Sequence, residues 1–123
     1  MVTLTEGRHA GGFLVWEAFR DYTRDTLTRA SGAVHLAPGT VLGKITTGGK
    51  YTALAPAASN GSQTAAGILW GAVSATDADA PGVVVLRGPA IINRHEIIWP
   101  EGATEPQITA ATAALTALGI LLR

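Results

Sequence analysis

Thr40-Val41-Leu42-Gly43-Lys44-Ile45-Thr46-Thr47-Gly48-Gly49-Lys50-Tyr51-Thr52-Ala53-Leu54 is the stretch that decides the fold. Two β-branched runs, residues 40–46 and 50–54, flank Thr47-Gly48-Gly49. Glycine supplies the positive φ that a tight hairpin turn needs, so the stretch reads as strand, turn, strand. The same wording continues outward. Short runs at 34–36, 65–74, 82–87, 90–93 and 96–99 are divided by Gly, Pro and Asn. Residues 55–63 form a loop with Asn60-Gly61 as its turn, and Asp77-Ala78-Asp79-Ala80-Pro81-Gly82 reads as a second surface loop. Strands at this spacing fold as an antiparallel barrel or sandwich. The predicted class is mainly β, a small barrel-like domain.

One helix interrupts the pattern. Thr104-Glu105-Pro106-Gln107 fits a capping box, with Thr104 as N-cap, Pro106 in the first turn and Gln107 at the third helical position. Gly119 suits the C-terminal cap. Ile108, Ala111, Leu115 and Leu118 form a stripe expected to face the sheet, while Thr109, Thr112, Ala113 and Thr116 form a second stripe of small residues. The uncharged run 108–122 is shorter than the roughly 20 residues a membrane span requires, so no membrane partner is expected.

Charge is scarce and unevenly placed. Only 15% of the 123 residues are charged against 47% hydrophobic, whereas globular domains average about 25% charged. Glu6, Arg8, Glu17, Arg20, Asp21, Arg24, Asp25 and Arg29 crowd the first thirty residues, and the other ten charges are spread over 93. The chain therefore divides into an N-terminal arm, 1–32, and a charge-poor body, 33–123, with the boundary at Ala30-Ser31-Gly32. Arg20/Arg24 and Asp21/Asp25, four apart, suit a helical turn. Thr23, Thr26 and Thr28 favour extended chain, and the arm is read as extended. Its one apolar run, Phe13-Leu14-Val15-Trp16, is too short to bury itself and reads either as a docking strand of the arm or as an ordinary first strand of the body.

No residue pattern points to catalysis. Nine basic and nine acidic residues leave zero net charge, which lacks the basic face of a nucleic-acid binder. Without cysteine there are no disulfides, thiolate metal sites or cysteine nucleophiles. His9, His35 and His95 lack partners at metal-ligand spacing. Ser31, Ser59, Ser62 and Ser74 have no evident base, and the Asp77/Asp79 pair sits in a loop of solvated turn residues. Gly43–Tyr51 departs from a phosphate loop because Gly49 stands where the lysine belongs. Asn60-Gly61-Ser62 is a glycosylation sequon that matters only in a secreted protein. No catalytic residue, metal or cofactor is expected. The residues fit a subunit that docks, its arm adding a strand to a partner's sheet edge. The alternative is a small-ligand or carbohydrate-binding β-barrel module with Trp70 or Trp99 as stacking platform.

The body resembles the lambda-type head decoration protein family of tailed phages. The likeness is carried by Ala37-Pro38-Gly39-Thr40-Val41-Leu42-Gly43-Lys44, Gly67-Ile68-Leu69, Val83-Val84-Val85-Leu86-Arg87-Gly88-Pro89-Ala90 and Ile97-Ile98-Trp99-Pro100-Glu101, in that order. A Thr/Ala-rich terminal helix and an apolar tail complete it, so it covers about residues 34–122. The resemblance implies a β-clip-like fold and a homotrimer on the outer face of the expanded capsid of the virion. It also implies synthesis in the host cytoplasm and contact with the major capsid protein, stabilising the shell. In such proteins an N-terminal arm orders against the capsid, which assigns Phe13, Leu14, Val15 and Trp16 to shell contact.

Overall fold

The computed structural model describes residues 7–30, 35–73 and 78–123. Its elements are β1 (Leu14–Glu17), α1 (Arg20–Thr23), β2 (Arg24–Arg29), β3 (Val41–Lys44), β4 (Tyr51–Ala53), β5 (Ala65–Leu69), β6 (Ala80–Val85), β7 (Ala90–Ile92), α2 (Glu105–Ala117) and β8 (Ile120–Leu122). β2-β4-β3-β5-β6 close into a barrel, and β1-β7-β8 form a separate three-stranded sheet. The fold is mainly β with one short C-terminal helix, as the strand spacing predicts.

The local signals work as read. β3 and β4 pair antiparallel, Lys44 opposite Tyr51, and the turn between them holds Gly48 and Gly49 at φ of 87° and 71°. The capping box forms reciprocally: Gln107 N–H donates to the Thr104 hydroxyl at 3.4 Å, and Thr104 N–H donates to Gln107 Oε1 at 2.9 Å. The helix ends at Ala117 with Gly119 at φ 86°.

Two apolar clusters hold the two layers. Leu27, Leu36, Leu42, Tyr51, Leu69, Val73 and Val84 fill the barrel. The second cluster includes Ile68, Val85, Ala90, Ile92, Leu115 and Ile120, and joins barrel, sheet and helix. Phe13 belongs to it, 2% exposed.

That burial corrects the division at residue 32. From Phe13 onward the predicted arm is part of the body: β1 pairs with β7, and β2 pairs along its whole length with β6. The segment is extended, but it is a sheet strand and then a barrel strand. Two of the fixing contacts are long-range, both to Trp70. The Arg24 guanidinium lies 3.4 Å over the Trp70 ring, and Trp70 meets the Phe13 ring edge-on at 5.9 Å. The Glu17 carboxylate accepts from Thr23 Oγ1 at 2.6 Å and from Arg24 Nε at 3.2 Å. Gly11, at φ 68°, lets Trp70 come close enough that a Cβ there would sit 2.2 Å from the ring. The Arg/Asp spacing does yield one helical turn, α1.

Four smaller differences follow from packing. Residues 96–99 form no strand; Ile98 makes only an isolated bridge to Thr40. The apolar tail instead provides β8, parallel to β7. Leu118, expected on the sheet-facing stripe, is 36% exposed because the helix stops before it, while Ala111 and Leu115 are buried. The expected strand at 34–36 leaves only Leu36, bridged to Val73. Val34, Ser31, Gly32, Ser74 and Asp77 lie outside the described residues.

Candidate docking face

The three-stranded sheet carries the feature most unlike a solvated surface. In register, Trp16 lies opposite Ile91, and Ile91 lies opposite Leu121. Paired residues in adjacent strands put their side chains on the same face. The three therefore form an apolar row across the sheet, on the face away from buried Ala90, Ile92 and Ile120. Trp16 is 51% exposed and Leu121 44%, with Ile91 between them half-buried.

A bulge widens the row. The β1–β7 register shifts between Leu14 and Trp16, so Val15 is also exposed rather than turned inward. Phe19, Tyr22 and Leu118 are further exposed apolar side chains, the first two following β1 directly. Both outer strands are edges, since the order is β1-β7-β8. An apolar face bounded by two edges is a candidate contact surface.

The predicted contact residues are thus divided. Phe13 is core and Leu14 is half-buried against it, so neither offers much to a partner. Val15 and Trp16 are on the face. Ile91 and Leu121 were missed, although the sequence held a signal: Ala90-Ile91-Ile92 and Ile120-Leu121-Leu122 do not alternate. A strand apolar on both sides implies cover on both sides.

The face is anchored by charge that is already satisfied. The Glu17 carboxylate pairs with Arg24, with side-chain exposures of 10% and 23%. The Arg87 guanidinium sits 5.1 Å over the Tyr22 ring and 3.7 Å from the Asp25 carboxylate. Of the ionisable groups, the Tyr51 phenol is pushed up, chiefly by burial and then by the Asp25 carboxylate, with Arg87 opposing.

Neither tryptophan proposed as a sugar platform is well placed. Trp70 has Arg24 on its ring and Phe13 at its edge. Trp99 lines two clefts of about 220 and 200 Å³, below the roughly 300 Å³ at which ligand pockets begin. Among the described residues no group of three His, Asp or Glu side chains is arranged to hold a metal.

Barrel, flanking sheet and exposed apolar row together define a small β-rich domain with an apolar face left open. The model of the bacteriophage lambda head decoration protein D family matches residues 3–120, and the chain belongs to that family. No curated protein matches the sequence. Membership carries a phage capsid decoration role and a place in the virion capsid, as a structural protein.

Proposed function

We propose that the protein binds the outer face of the expanded phage head as a homotrimer, contacts the major capsid protein and stabilises the shell. The protein is made in the host cytoplasm and adds to the head after expansion. Val15 and Trp16, together with Ile91 and Leu121, form the shell contact. The observation that carries this reading is the exposed apolar row in a member of a capsid decoration family. A trimer makes the second and third contacts intramolecular, so three modest faces give tight attachment. Zero net charge suits many copies crowded on one surface.

The test is co-sedimentation of the purified protein with expanded and unexpanded heads. Binding to expanded heads, with a higher temperature for head disruption, is the expected result. Failure to bind either form overturns the reading. Light scattering at micromolar concentration then reports on the trimer, which a stable monomer both free and eluted from heads would refute.

A further inference from the structure

The barrel is closed on paper by five strands, but one seam is nearly open. β2 and β4 run parallel and pair only at Arg29–Tyr51, where Ala30 N–H donates to the Tyr51 carbonyl at 2.9 Å. Before that point the hairpin turn, Gly48-Gly49-Lys50, runs beside β2 without a further ladder pair. The gap is a groove of about 570 Å³ whose walls include Thr26, Thr28, Lys44, Gly48, Lys50 and Tyr51.

The main chain of β2 presents itself to this groove. In an antiparallel pair, alternate residues direct their N–H and C=O groups to the neighbouring strand and the others direct them away. Three observations fix which are which. Thr26 N–H donates to the Asp25 carboxylate at 2.8 Å rather than to β6. Thr28 lies opposite Pro81, which has no N–H to give. Ala30, next in the alternation, bonds β4. Thr26 C=O and Thr28 N–H therefore face the groove, unlike those of Leu27, which face β6.

The charges at the groove favour an acid. Lys50 is paired with Asp79, and Asp25 with Arg87. Lys44 is different: among the described residues it has no acidic partner, and its Nζ stands 5.8 Å over the Tyr51 ring. An ammonium beside main-chain groups that face the groove matches an extended chain bearing a carboxylate, which receives strand hydrogen bonds along its backbone and a charge-assisted bond at one side chain. At ~3.3 Å per residue, four extended residues span the length of 25–28.

We propose that the β2–β4 seam is a binding site for an extended acidic protein segment, which adds to β2 as a strand and sets a carboxylate on Lys44. The site lies on the barrel, apart from the sheet that carries Trp16. It therefore stands or falls separately from the shell-contact reading.

Amide spectra of the isolated full chain test it, titrated with a capped hexapeptide of alternating Val and Thr carrying one central Glu, and with its Lys counterpart. The Glu peptide should shift the Thr28, Gly48 and Gly49 amides saturably and slow hydrogen exchange at Thr28. The Lys peptide should bind about tenfold or more weakly, the worth of one charge-assisted hydrogen bond. Lys44→Glu, an exposed change, should reverse that preference while leaving the spectrum otherwise folded. Equal binding of the two peptides overturns the proposal, as do shifts without slowed exchange at Thr28. So does the absence of any shift with the Glu peptide at about 5 mM.

Discussion

Replacing Trp16 with Ala separates the two jobs of one side chain. A tryptophan offers about 250 Å² to burial, and Trp16 is 51% exposed, so roughly half of that area is already packed and half is open. At ~25 cal/mol per Å² each half is worth at most about 3 kcal/mol, and about 2 kcal/mol is a realistic figure once a partial collapse of the site is allowed. The packed half contributes to folding and the open half to docking. Trp16→Ala should therefore lower unfolding free energy by about 2 kcal/mol in a urea titration. Binding of one folded copy to expanded heads should weaken by roughly 30-fold, the equivalent of 2 kcal/mol. The proposed trimer, carrying three altered rows, should lose more than that, because its three contacts would act together. The binding assay is co-sedimentation at a temperature where circular dichroism finds the variant fully folded. Lost stability with unchanged head binding would refute the assignment of this face to the shell.

Other substitutions probe the fold and its charges. Arg29 is 4% exposed, and among the described residues its Nε and Nη1 have no hydrogen-bond partner, so Arg29→Met should leave stability unchanged or raise it by about 1–4 kcal/mol. A loss of several kcal/mol on urea unfolding would mean that the guanidinium is paired. Leu115 is fully buried in the layer between helix and sheet, and Leu115→Ala should cost about 2–5 kcal/mol by the same measurement, with a loss under 1 kcal/mol counting against that packing. The Tyr51 phenol holds its proton more tightly folded than unfolded, so its contribution is complete below the ordinary value of 10.0 and fades as pH rises through the folded value. Melting temperature should accordingly fall more steeply above about pH 10 in the native chain than in Tyr51→Phe; parallel profiles would exclude this linkage. Thr104→Ala removes the acceptor for Gln107 N–H and should cost about 1 kcal/mol, with an unchanged melting curve as the contrary result.

The features legible in the sequence share a short range. Gly48-Gly49 made the β3–β4 hairpin and Thr104/Gln107 started α2, because a turn and a cap are settled by bonds within four residues. The proposed contact face was half legible. Val15 and Trp16 stood out as apolar residues in a charged segment, but their neighbours Ile91 and Leu121 lie about 75 and 105 residues away and meet them only through register. The same charges misled the division of the chain. Glu17 and Arg24 were among the charges that set residues 1–32 apart as an arm, yet they pair with each other, and Arg24 lies over Trp70, which meets Phe13 in the core.

By itself the sequence determined a small β-rich chain with one capped helix, no evident catalytic constellation and a charge-poor body, and its motif order resembled a capsid decoration family before any contact was known. Tertiary structure alone decided which apolar residues are spent in the core and which stay outside. Leu14 and Trp16 are two residues apart, a spacing that regular alternation puts on one face, but the bulge in the pairing with β7 turns Leu14 toward the core and leaves Trp16 exposed. Side-chain direction in a strand depends on the partner strand and its register, and those are set by distant residues.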